Sequence, residues 1–112
     1  MYKEVVMEYK FTEANYEAEV VSSDIPVMID FYADWCGPCK MMGPVVAELA
    51  AEYEGKVKIG KCNVDENPAI ARQFGVMSIP TFIFLKGGQM VAKQIGAISK
   101  KELAQMLEQV LA

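Results

Sequence analysis

The chain has 112 residues, of which 53% are hydrophobic. That is enough for one packed core in one domain, residues 1–112, and too apolar for a disordered chain. The formal net charge is −4, and lysine and arginine are spread along the chain, so no basic cluster marks a nucleic-acid surface. No apolar run is long enough to span a bilayer. The opening segment carries Lys3, Glu4, Glu8 and Lys10 and lacks the apolar stretch of a secretory signal. A cytoplasmic location with no membrane partner is therefore expected. Three cysteines is an odd number, which argues against a purely structural disulfide framework. Histidine is absent, which removes Cys–His and Ser–His catalysis and His-ligated zinc.

The elements alternate. Lys3 to Tyr9, rich in Val, Met and Tyr, reads as a strand. Thr12 is a candidate N-cap for a helix reaching about Val21, although Asn15 stands where a capping box places Glu. Pro26 to Tyr32 is a near-continuous apolar run, the pattern of a strand covered on both faces. A helix follows from Cys36 to Tyr53, its apolar positions Met42, Val45, Val46, Leu49, Ala50 and Tyr53 spaced by threes and fours. Pro44 inside it predicts a kink.

Val57 to Val64 is the third strand. Asn67-Pro68 opens a short helix through Phe74, which Gly75 ends. Thr81 to Leu85 is the fourth strand, and Gly87-Gly88 turns it into Gln89–Ile95 as a hairpin. Ser99 and Glu102 form a capping box for a last helix with the stripe Leu103, Met106, Leu107, Val110. The order β-α-β-α-β-α-β-β-α predicts an α/β three-layer sandwich around a mixed sheet of five strands, with four helices.

The chemistry lies in Trp35-Cys36-Gly37-Pro38-Cys39-Lys40, between the second strand and the second helix. Two cysteines one helical turn apart are close enough to bridge. Cys36 falls at the helix start, where free backbone N–H groups and the helix dipole favour a thiolate. Cys39 lies a turn deeper and is expected to be less exposed. Cys36 then attacks and Cys39 resolves. Gly37 leaves the approach open, and Pro38 suits the first turn. A structural zinc site is the competing reading, but it needs about four ligands, and Cys62 is the one other cysteine. Metal binding is not expected.

The whole chain resembles the thioredoxin family. The resemblance rests on the Trp-Cys-Gly-Pro-Cys-Lys signature and on Phe31 to Pro44, Asp65-Glu66-Asn67-Pro68, Ile79-Pro80-Thr81 and Gly96-Ala97. It implies the thioredoxin fold and reduction of disulfides in proteins, with Cys36–Cys39 as the redox-active disulfide. It also implies no bound cofactor, disulfide-containing protein substrates, and a thioredoxin reductase as the partner that restores the dithiol.

Asp30 interrupts the apolar run Val27 to Tyr32. A buried carboxylate holds its proton more tightly than a solvated one. The resemblance makes Asp30 the group that assists deprotonation of Cys39, through water, and makes Lys61 its electrostatic neighbour. An ordinary surface lysine is the equal alternative for Lys61. The resemblance further makes Ile79-Pro80 a cis-proline loop against the cysteine pair. It groups Trp35, Gly37, Pro38, Ile79, Pro80, Gly96 and Ala97 into an apolar substrate-binding surface.

Cys62 reads as a small buried apolar residue. Met41, Met42 and Met77 read as packing residues near the site, open to oxidation. Tyr32 stands where many family members have Trp, and Met77-Ser78 precedes the proline loop where members vary. Gly37-Pro38 between the cysteines favours a reductant over an oxidase or isomerase. A non-catalytic binding module using the same apolar face is the alternative from another class. A monomer is expected, since one core uses all the apolar stripes.

Overall fold

The computed structural model describes residues 8–112. Five strands form one sheet: β1 (Tyr9–Lys10), β2 (Val27–Tyr32), β3 (Lys58–Asn63), β4 (Thr81–Lys86) and β5 (Gln89–Ile95). Their spatial order is β1-β3-β2-β4-β5. β3 pairs parallel with both β1 and β2, whereas β4 runs antiparallel to β2 and to β5. The parallel pairs need helical crossovers, and the final antiparallel pair needs a tight turn. Gly87 and Gly88 supply that turn, with φ of 60° and 79°, values that cost a residue with a side chain dearly.

The helices are α1 (Gly37–Glu52), α2 (Pro68–Gln73), α3 (Lys100–Leu111) and a short π-type segment, Glu17–Val21. The mixed five-stranded sheet and the four helices are those read from the sequence. The apolar run of β2 divides between the two faces by the strand's period of two. Met28 joins Ile59, Phe82 and Phe84 under Met42, Val46 and Leu49 of α1 and Leu103 and Leu107 of α3. Val27, Ile29 and Phe31 pack on the opposite face with Phe11, Val20 and Ile70. Both faces are dry, which is why polar residues are nearly absent from this strand.

Some boundaries differ from the sequence reading. Most of the expected first strand, Lys3 to Tyr9, lies outside the described residues. The helix expected from Thr12 is confined to Glu17–Val21. Before it, Thr12 Oγ1 accepts from Asn15 N–H at 3.2 Å, and Asn15 Oδ1 accepts from Thr12 N–H at 2.8 Å. The shorter Asn thus closes the reciprocal bond of a capping box without Glu, but it ties a turn and not a regular helix start. Ser22 N–H then reaches Glu17 O, a wide turn that ends the segment. At Pro44, inside α1, the helix continues without a break. The capping box at Ser99 and Glu102 is present in both directions.

Candidate active site

β2 ends at Tyr32, and a short turn delivers Cys36 as the N-cap of α1 in an extended conformation (φ −91°, ψ 112°). Its side chain stands where Ser or Asp caps other helices. Cys36 Sγ accepts from the backbone N–H of Cys39 at 3.2 Å. Pro38 falls where no intrahelical N–H is needed. Cys36 and Cys39 are joined as a disulfide, with Cα atoms 5.3 Å apart.

The two sulfur-bearing residues do not differ in burial as expected: Cys36 is 4% exposed and Cys39 5%. Both pack with Ala33 in a small cluster beneath Tyr32, Val64 and Ile79. What separates them is polar. The sulfur of Cys36 is the one that meets a helix N–H, and an N–H directed at sulfur favours its anion.

The Ile79–Pro80 peptide bond is cis. Ile79 O lies 3.8 Å from Cys36 Sγ, so the proline loop sits against the cysteine pair. Gly96 N–H donates to Pro80 O at 2.8 Å, and Thr81 Oγ1 donates to Ser78 O at 2.6 Å. These bonds pin the loop from both sides. Gly96 has φ of 92°, a value suited to glycine. Ala97 is exposed beside it, with no contact that ties it to Cys36. Gly37 and Pro38 are exposed at the mouth of the helix.

Trp35 is surface and not core, 70% exposed. Its Nε1–H donates to Asp65 Oδ2 at 2.9 Å, which fixes an otherwise free ring. A pocket of about 340 Å³ opens here, lined by Trp35, Val64, Val76, Met77, Ser78 and Ile79. Met77 is 96% exposed at its rim. Asp65, Val64 and Val76 were not picked out as site residues from the sequence. Asp65 lies far from Trp35 along the chain, and no local pattern links a surface carboxylate to a distant indole.

Asp30 is 3% exposed and its Oδ1 has no hydrogen-bond partner. Its neighbours in register are Lys61 on β3 and Phe82 on β4. Burial, and then the negative charge of Glu8, push its carboxyl up to about 7, against the pull of Lys61. Lys61 is half-buried and makes no direct ion pair with Asp30. Its Nζ stands 5.2 Å from the centroid of the Tyr32 ring, a cation–π position. A second pocket, of about 510 Å³, has Cys39, Lys61, Tyr32, Lys40 and Gly43 among its walls. It lies on the α1 side of the sheet, the side to which Asp30 also points.

Cys62 is fully buried on the other face. Burial, and secondarily Glu13, push its thiol up to about 12. A thiol that stays protonated is a poor nucleophile. Iodoacetamide will therefore leave Cys62 unlabelled in the folded protein and modify it fully once guanidinium unfolds the chain, as mass spectrometry will show. Among the described residues no group of three or more Cys, Asp or Glu side chains is placed to hold a metal, and no helix is long and apolar enough to cross a membrane.

A cysteine pair capping a helix, under a cis-proline loop and at the end of a buried strand, defines a thiol–disulfide oxidoreductase. The thioredoxin family model matches residues 7–109. Thioredoxin of Haemophilus influenzae is 57% identical over 97 residues, covering 87% of this chain and 91% of that protein. Thioredoxin 1 of Nostoc sp. is 52% identical over 100 residues, covering 89% and 94%. The chain belongs to the thioredoxin family, and it is a protein-disulfide reductase whose active-site pair is Cys36 and Cys39.

Proposed function

We propose that Cys36 is the attacking sulfur, Cys39 the resolving one and Asp30 the proton acceptor. The observation that carries the assignment is the Cys39 N–H directed at Cys36 Sγ at the start of α1. The Cys36 thiolate attacks one sulfur of a substrate disulfide, and the other leaves with the electron pair. Cys39 then gives its proton to the Asp30 carboxylate, through water in the pocket they share a side with. The Cys39 thiolate bonds to Cys36 Sγ, the mixed disulfide breaks, and the substrate sulfur departs and is protonated. Substrate is oxidant and the dithiol reductant, so the protein ends as the Cys36–Cys39 disulfide. A thioredoxin reductase in the cytoplasm returns two electrons, and the chain works as a monomeric single domain with no bound cofactor.

The substrate is an extended, disulfide-bearing segment of a protein. Trp35, Gly37, Pro38 and Ile79-Pro80 receive it, with Gly96 and Ala97 on the flank. The pocket beneath Trp35 and Met77 takes an apolar side chain of that segment. Lys61 lowers the cost of a negative charge on Asp30.

The test is reduction of insulin by catalytic amounts of the protein with dithiothreitol as electron source. Rapid precipitation of the insulin B chain supports the reading, and a rate equal to dithiothreitol alone would leave a binding module instead. In the same assay Met77→Asp will raise KM for insulin several-fold with little change in kcat. The side chain is nearly all in solvent, so stability is unaffected, and what is lost is apolar contact made equally in ground and transition states.

A further inference from the structure

We propose that Glu8 is a positioning residue for Asp30: a second carboxylate on the same face of the sheet that, with Lys61 between them, sets the pH at which Asp30 exchanges a proton with Cys39. The inference deepens the role given to Asp30 above and rests on it.

The placement follows from the edge of the sheet. Tyr9 and Phe11 stack with ring centroids 6.0 Å apart. They fill the space over Gly60, where a Cβ would come within 2.7 Å of Tyr9 Cβ and Phe11 Cε2. Both rings thus lie on the face opposite α1. Alternation along the strand turns Glu8 and Lys10 the other way. Lys10 is in register with Lys61, and Lys61 with Asp30. Lys61 and Asp30 therefore stand in register on β3 and β2, and Glu8, just before β1 and level with Ile59, shares the α1 face with them one step along the sheet. The lysine occupies the middle strand. Glu8 is half-buried there, so its charge is less screened than that of a surface carboxylate.

The electrostatics agree with the placement. Burial holds the proton of Glu8 more tightly than usual, and Lys61 opposes this. Asp30 is raised by burial and then by Glu8, and Lys61 opposes that too. The negative charge of Glu8 repels one on Asp30 and so helps hold the Asp30 proton. The other titratable groups near this face are Lys10, exposed at the edge, and, around the pocket, Cys39 and Lys40 of α1, with Tyr32 and Asp34 beside it. β4 contributes Phe82, which carries no charge. Burial holds the Asp30 proton most strongly, and Lys61 pulls the group towards ionisation. Glu8 offsets that pull and keeps the exchange of its proton close to neutrality, where a group that must both take and return a proton works best.

The experiment follows the Asp30 carboxyl carbon by NMR through a pH titration of the full-length oxidised protein, alongside the pH profile of insulin reduction. Glu8→Gln is expected to lower the Asp30 midpoint by about half a pH unit and to move the rate profile to lower pH with it. Lys61→Met is expected to raise both. Opposite displacements distinguish the charge from loosened packing, which lets water in and lowers the midpoint in either variant. An unmoved midpoint in Glu8→Gln overturns the proposal, even where Asp30→Asn flattens the rate profile and so upholds the role of Asp30. If the midpoint moves but Asp30→Asn leaves the rate profile unchanged, the role of Asp30 is wrong, and the proposal falls with it.

Discussion

Cys36→Ser will reduce insulin no faster than dithiothreitol alone, a loss of at least about a thousandfold, as expected when an enzyme's nucleophile is removed. Serine is itself a favoured N-cap, so its Oγ can take over the acceptor role towards Cys39 N–H. The α1 start then survives, and the loss is chemical and not structural. Cys39→Ser behaves differently. Cys36 remains competent to attack, but nothing resolves the product, so one equivalent of substrate stays bound through a mixed disulfide. Mass spectrometry will find that adduct with Cys39→Ser and not with Cys36→Ser, and dithiothreitol will release it. An adduct in both variants, or in Cys36→Ser alone, would reverse the assignment of attacking and resolving sulfur.

Asp30→Asn will make the protein more stable and a poorer catalyst. In the unfolded chain Asp30 titrates near 3.8, and in the folded protein near 7. Between those values the folded state holds a proton that the unfolded state has lost. Stability therefore falls as pH rises from about 4 to about 7, and it stays level above that because both states are then ionised. The full cost is on the order of 4 kcal/mol, in line with a residue that is 3% exposed and whose carboxylate Oδ1 has no partner. Asparagine has nearly the same shape and never ionises. Urea unfolding at pH 8 will show the gain, and at pH 4 the variant and the parent will nearly coincide. A gain independent of pH would mean that packing and not ionisation is the cause. The resolving step will slow in the variant, because Cys39 loses the acceptor of its proton. A costly buried carboxylate on the Cys39 side of the sheet is what a trade of stability for chemistry looks like, and the paired stability and rate measurements test it.

How far the chain could be read in advance varied with the range of the interactions involved. The near-continuous apolar run of β2 announced a strand covered on both faces, because burial on each side excludes polar residues position by position. Gly87-Gly88 and Ser99 with Glu102 marked their turn and cap, since partner and acceptor lie within four positions. The Thr12–Asn15 turn was missed, because Asn was discounted where Glu is usual. The equal burial of Cys36 and Cys39 was missed too. Exposure at a helix start depends on what covers it, and here Ile79 and Val64 arrive from other parts of the chain.

The sequence by itself determined the element order, the helix-capping cysteine pair and the oddity of a carboxylate in an apolar strand. These follow from local periodicity, local hydrogen bonding and the chemistry of single side chains. Tertiary structure alone decided that Asp65 holds Trp35, that Met77 and Val76 share a pocket with it, and that Lys61 and Asp30 stand in register on adjacent strands with Glu8 on the same face just before the edge strand. Each of those joins residues distant in the chain through a parallel crossover or a loop. Register and packing set such distances, and no spacing within a single segment records them.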